Sequence, residues 1–478
     1  MIRGLVSVIV VLATSGCPLL DDSPYYRACH RDDECGGTLY QCDTSRSICV
    51  RRDHLGRDAA NGDGAVSADA ATADAAVDGN GGYVFSDDDP VEFGQGTPQD
   101  IVVTDGGLRL ASGSLSGVFT SRPLAPPGTG RGVSIGWLPA APYAKPLPDH
   151  TRDDSEQRAY AQDGADLTGL IFLLHLGGDT GAALFSGAQA DDTSGRQHPV
   201  RLVDNDPSGN SLHVDGKVGG ADYLKYEDYF VIEDADASPD FAFDTLTFTW
   251  AAWVKIESCA VNQDNAIAIG GEVPHIWLGA SCPSGEAVWQ VSDDVNVDAA
   301  AISSFSVVDN RWHLLVGVKL VAPPSIVLYV DGLHADSVTG SWSHFGNFTK
   351  NIFLGNFPIG SPPLWDYQSQ LMIDEVAIWR RGLAAGEVAA LYRRAVSNLL
   401  LQVRSCNDIS CSTAGNFVGP TGASELYFHE GVNVTPPAAV PLDFELIGPA
   451  FQYQVALERD DDTVEPLLRS VTLTAESR

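Results

Sequence analysis

The sequence predicts an all-β protein: one β-sandwich inserted into a second, split β-sandwich, behind a small disulfide-rich N-terminal module. Three observations carry this. From Tyr83 onward, short alternating or apolar segments are punctuated by Gly, Pro, Asn and Asp, the pattern of strands and turns. Only "LAAGEVAALYRRA" (Leu383 to Ala395) has clear helical spacing, with Leu383, Val388 and Leu391 available for a packing face. In the stretch "DAANGDGAVSADAATADAAVDGNGG" just before Tyr83 the chain offers alanines, aspartates and glycines, but almost nothing to bury.

The chain opens with one basic residue, Arg3, the apolar run "LVSVIVVLA" and the small residues Thr14, Ser15 and Gly16, which is the layout of an export signal over residues 1–16. The run is too short to span a bilayer. "TSGC" resembles the lipobox of bacterial lipoproteins, with Thr14 standing where an aliphatic residue is usual. The resemblance implies acylation of Cys17 and a membrane tether through lipid. The cysteine count agrees, because the chain has nine and the other eight fall into local groups suited to an oxidising compartment. Cys29, Cys35, Cys42 and Cys49 lie in a polar stretch too small to hold a core without staples, and two disulfides are expected there in one of three connectivities. Their spacings lack the C-x2-C of a zinc knuckle. Cys259 and Cys282 close two neighbouring predicted strands, and Cys406 and Cys411 bracket the turn "NDIS".

Residues 17–52 therefore form a tether and cysteine-rich module, and residues 53–92 an Ala/Asp/Gly-rich linker. No Lys or Arg occurs from Asp58 to Leu108, so this stretch repels itself and stays solvated. The formal net charge of −34 excludes nucleic acid as a partner, since no basic patch is dense enough to overcome that field.

Five motifs follow in order: "SLHVDGKVGGADYLKYEDYFVIEDA", "FTWAAWVKI", "DNRWHLLVGVKL", "SIVLYVDGLHADS" and "MIDEVAIWRRGLAAGEVAALY". Together they resemble the laminin-G-like, concanavalin A-like jelly roll of bacterial surface proteins, placed here at residues 165–397. The resemblance implies a sandwich that hosts glycan binding, protein adhesion or, in other families, glycoside hydrolysis. Trp250, Trp253 and Trp312 lie among apolar neighbours on predicted strands and are expected between the two sheets. Trp342, Trp365 and Tyr367 sit instead in Gly/Ser/Pro-rich loops, where aromatic faces can stack on sugars or anchor a protein, and they are the candidate ligand-binding residues. Asp374, between Ile373 and Val376, is costly to bury unless it is paired or bound to a cation. Resemblance to related folds implies a structural calcium on the convex face held by Asp374, with Asp215 as a weaker partner.

Catalysis has no visible carrier. Hydrolases of this fold place paired carboxylates on one face of a strand, whereas the adjacent acids of "IDEV" are expected to face opposite ways. No GxSxG elbow, HExxH helix or phosphate loop occurs, and His313 reads as structural. The flanks 93–150 and 398–478 each offer too few strands for a closed sandwich, so the economical reading is one split sandwich around the jelly roll. The anchor, cysteine cluster and acidic spacer look like those of myxobacterial surface lipoproteins. The expected protein is a non-enzymatic, lipid-anchored binding protein of the outer membrane or cell surface, recognising a glycan or a surface protein. A ligand-free envelope or coat component is the alternative, and a glycoside hydrolase the more distant one.

Overall fold

The computed structural model describes residues 40–43, 48–51, 76–77 and 82–478, apart from 150–154, 179, 205–210, 227, 233–237, 242, 244–245, 260–262, 271–273, 293–297, 341–350, 356–368 and 432–433. Met1–Asp63 and Gly64–Arg478 form separate compact units. In the first, Tyr40–Asp43 pairs antiparallel with Ile48–Arg51, bringing the Cα atoms of Cys42 and Cys49 opposite each other. Cys17, Cys29 and Cys35 lie outside the described residues.

In the second unit, strands from the two flanks combine within the same sheets. One sheet runs Ser397–Cys406, Ala450–Arg459, Ser116–Thr120, Thr97–Gln99. In the other, Gly130–Pro139 lies between Ala438–Pro441 and Leu467–Ser477, and the latter pairs in turn with Tyr83–Asp87. Between these sheets Phe119, Trp137, Leu401, Tyr453 and Leu473 form one core. This host sandwich starts earlier than residue 93. Val84 to Asp87 alternate between half-buried and buried positions along the strand. Phe85 is 3% exposed, and the Asp87 carboxylate accepts the Tyr453 hydroxyl proton and lies 3.3 Å from Arg122. The end of the segment expected to be linker is thus a strand, because its alternating pattern "YVFSD" supplies a buried face. Cys406 and Cys411 form the expected disulfide at the end of a host strand.

The inserted part is a two-sheet sandwich. Its first sheet is Leu212–Asp215, Gly220–Tyr226, Ser369–Trp379, Phe248–Cys259, Trp312–Val321, Pro324–Val330, Leu333–Thr339, with Leu170–Leu174 also pairing Ser369–Trp379. The second is Gln189–Asp191, Pro199–Val203, Tyr229–Ile232, Ile352–Gly355, Gln263–Gly270, Pro274–Ser281, Glu286–Ser292, Asp298–Ser306. Cys282, after the strand Pro274–Ser281, is disulfide-bonded; the side chain of Cys259 lies outside the described residues.

Trp250 fills the space between these sheets edge-on to Trp289, with ring centroids 5.4 Å apart. Trp253 and Trp312 do not join it. An odd spacing along a strand turns Trp253 to the opposite face, where it and Trp312 belong to a second cluster outside the first sheet. There the Trp253 ring stacks on Tyr392 of the helix Ala385–Ala395 at 5.7 Å. That helix forms where helical spacing predicts it, burying Val388 and using Glu387 to accept the Ala384 N–H at 2.8 Å. His313 is structural: its Nδ1 lies 2.7 Å from Asp331 and its Nε2 3.1 Å from Asp309. Among the described residues, no helix is long and apolar enough to cross a membrane.

The segment joining the host to the insert is held by buried charges. Lys145 is fully buried, pairs with Glu156 at 3.0 Å and donates to the Val434 carbonyl at 2.6 Å. Arg394, 3% exposed, donates to the carbonyls of Lys145 and Pro146 at 2.6 and 2.9 Å and to Gln157 at 2.8 Å. Glu430 accepts the Tyr160 hydroxyl at 2.8 Å and the Tyr143 amide at 3.2 Å. Burial pushes the Glu430 carboxyl up against the pull of Lys145, and pushes the Lys145 amine down against the pull of Glu430 and Glu156. Each ion is compensated by another, the condition under which buried charges persist.

Candidate functional site

Asp374 and Glu375 sit where the strand Ser369–Trp379 changes neighbours, from Gly220–Tyr226 along its first half to Leu170–Leu174 along its second. Opposite them the register with Phe248–Cys259 shifts between Ala251 and Trp253, and Glu375 adopts φ 45°. This is a β-bulge, with one extra residue on one strand. Ile373 and Val376 both enter the inter-sheet core, so the two acids between them share the outer face. The expectation that they face opposite ways is corrected: simple alternation fails at a bulge.

Shared orientation does not make them a hydrolytic pair. Asp374 is fully buried, and the void beside Glu375 holds about 20 Å³, room for a water and not for a sugar. The carboxylate of Asp374 accepts the Val218 N–H at 2.9 Å and so ties down the turn between Leu212–Asp215 and Gly220–Tyr226. A β-carbon on Gly216 would lie 2.7 Å from its Oδ2, so the turn closes over it only with glycine there. Burial, then the negative charge of Glu375, pushes Asp374 well above the usual carboxylate range, while the amides of Val218, Glu375 and Lys217 oppose the shift. Glu375 accepts the Leu147 N–H at 3.1 Å and bonds to Nδ1 of His175. Burial alone would pull the His175 imidazole down, but Glu375 and Asp149 together lift it above its usual value.

Asp374 Oδ1 has no hydrogen-bond partner and is one available oxygen, whereas calcium takes six to eight. Asp215 accepts the Thr180 hydroxyl at 2.8 Å, and no group of three His, Cys, Asp or Glu side chains among the described residues is placed to hold a metal. Any calcium held by Asp374 would take most of its oxygen ligands from backbone carbonyls.

Trp342, Trp365 and Tyr367 lie outside the described residues. A different set of aromatics, not singled out in the sequence, gathers on the outer face of the second jelly-roll sheet. Val231, Trp277, Val288 and Phe353 cluster there apart from the core, with Tyr229 packed against them. The register carries one row across the sheet through Arg201, Val231, Phe353, Ala268, Trp277 and Gln290. Trp277 Nε1 donates to Gln290 Oε1 at 3.0 Å, and the Tyr229 and Phe353 rings meet edge-on at 5.5 Å. Trp277 itself is 2% exposed, so Tyr229 and Gln290, both half-buried, are the groups that face outward. "HIWLGAS" and "EAVWQVS" each carry one Trp, and the pairing of Trp277 with Gln290, which the sequence alone does not give, puts Trp277 on the face opposite Trp289.

Residues 226–389, within this sandwich, match the family model described as the concanavalin A-like lectin/glucanases superfamily. The insert is a concanavalin A-like domain. Solved structures similar to the chain include the binding domain of Paraclostridial mosquitocidal protein 1, at 16% identity and TM-score 0.39, covering 51% of this chain and 55% of that one. The chain thus spans about half the length of that structure. Domain 4 of AbnA, a GH43 extracellular arabinanase from Geobacillus stearothermophilus, in complex with arabinotriose, is 16% identical at TM-score 0.34, covering 44% of this chain and 100% of that one. Trypanosoma rangeli sialidase is 16% identical at TM-score 0.32, covering 48% of this chain and 33% of that one. No curated protein matches the chain in sequence.

Proposed function

We propose that this is an exported, lipid-anchored surface protein whose concanavalin A-like domain binds a glycan or protein ligand without turning it over. The observation that carries the reading is the outer face of the second sheet, where an apolar, aromatic cluster is rimmed by a phenol and an amide. Tyr229, half-buried at the edge of this otherwise buried cluster, is the ring the surface leaves for stacking. The one pair of adjacent carboxylates that the bulge brings to a common face is buried against the connecting segment. That favours binding over hydrolysis.

The export half of the proposal rests on the apolar run before Cys17. Cys17→Ala is expected to move the protein from the membrane to the soluble fraction and to abolish fatty-acid labelling, because a single acylated terminus is its anchor; unchanged labelling would overturn that half. For the binding half, a glycan and protein screen on the mature chain is expected to return a ligand whose affinity Tyr229→Ala lowers by roughly 1–3 kcal/mol. A screen without any ligand would favour an envelope or coat component instead.

A further inference from the structure

A cleft of about 590 Å³ opens where the host, the connecting segment and the concanavalin A-like domain meet. That volume lies in the range of small-molecule sites. Arg109, Gln162 and Leu467 also line a neighbouring depression of about 420 Å³, so the two are continuous. Each part of the fold contributes to the walls. Arg109 comes from the host strand Gly107–Leu110 and Gln162 from the connecting segment, while Arg393 comes from the helix Ala385–Ala395 and Arg469 from the last host strand.

The charges along this groove are mixed. Arg393 holds Asp163 through Nε at 2.7 Å and Nη2 at 2.5 Å, and Arg109 Nη1 meets Glu465 at 3.2 Å. Arg469 lies in the continuation with Asp88 and Asp105. An anion entering the groove meets four carboxylates and a cation meets three guanidinium groups, so neither is favoured by charge. Hydrogen-bonding capacity nevertheless remains. Among the described residues neither the Gln162 side-chain amide nor the Arg469 guanidinium has a hydrogen-bond or ion-pair partner. Nε of Arg109 is buried and also unpartnered. Ala141, Val464 and Leu467 add an aliphatic surface to the same cleft.

A ligand that completes such a surface is neutral, carries groups that both donate and accept, and has an apolar flank. Sugar hydroxyls donate and accept at once, and the C–H faces of sugar rings suit small aliphatic side chains. We propose that this cleft is a binding site for a neutral saccharide, separate from the outer face of the second sheet. The inference stands on the cleft alone and survives or fails independently of the outer-face reading.

The test is calorimetric titration of the full mature chain with a panel of neutral and uronate-containing oligosaccharides. The double variant Gln162→Ala/Arg469→Ala removes no bond seen in the structure and is expected to keep the melting temperature. It should weaken the neutral ligand by about tenfold or more, while Tyr229→Ala leaves that ligand's affinity unchanged. The proposal is overturned if no neutral saccharide binds, if only uronates bind, or if the double variant keeps its affinity. Loss of binding in Tyr229→Ala alone would assign the ligand to the outer face and overturn it equally.

Discussion

Arg394→Ala is expected to destabilise the protein by about 3–5 kcal/mol, because it strands buried polar groups with nothing to replace the lost partner. Arg394 sits in the concanavalin A-like domain, yet it donates to the Lys145 and Pro146 carbonyls of the connecting segment and to Gln157. Around it Lys145, Glu156, Glu430 and Glu375 are all buried. Truncation leaves two carbonyls without a donor and removes a positive charge from a group of three carboxylates. Lysine restores the charge but not the fork that reaches both carbonyls, so Arg394→Lys should recover only part of the loss. Chemical denaturation followed by tryptophan fluorescence reads the effect. The alanine variant should also separate the unfolding of the two sandwiches into distinct transitions. A loss below about 1 kcal/mol would show that the buried ions do not hold the joint, the size expected of an ordinary surface substitution.

The N-terminal flank of the host, residues 82–150 expressed alone, is expected to show no cooperative unfolding. Gly130–Pro139 has its sheet neighbours at Ala438–Pro441 and Leu467–Ser477, and Ser116–Thr120 has one of its two at Ala450–Arg459. More than half of the core, including Leu401, Tyr453 and Leu473, arrives from beyond residue 397. Without it Phe119 and Trp137 have no opposing sheet, and the chain cannot offset its conformational entropy. Co-expression with residues 398–478 should restore a folded species, since the ends of an insertion lie close together in its host. A sharp thermal transition in residues 82–150 alone would mean that the flank is a domain by itself.

What the sequence discloses and what it hides follow from the range of the interactions involved. Strands such as Phe248–Cys259 and Trp312–Val321, and the helix Ala385–Ala395, are legible because their pattern is local. Which face a tryptophan takes is legible only once the register is known: Trp250 and Trp253 look alike in "TFTWAAWVKI" but serve different clusters. The bulge at Glu375 is not legible, because it arises where one neighbouring strand ends and another begins. Nor is the joint. Nothing in "PYAKPLPD" marks Lys145 for burial, and only the approach of Val434 and Glu156 makes it a buried residue. The strand Tyr83–Asp87 has a visible alternation, and only the linker boundary at residue 92 is misplaced, because the acidic residues Asp87, Asp88 and Asp89 continue the composition of the linker.

The central claim, that this chain recognises a ligand and does not process it, is tested most directly by measuring binding and reducing-end release on the same purified mature protein with one panel of polysaccharides. The account predicts saturable binding with no release above the protein-free control. Release of reducing ends that a single substitution such as Glu375→Gln abolishes, with the fold intact, would contradict it.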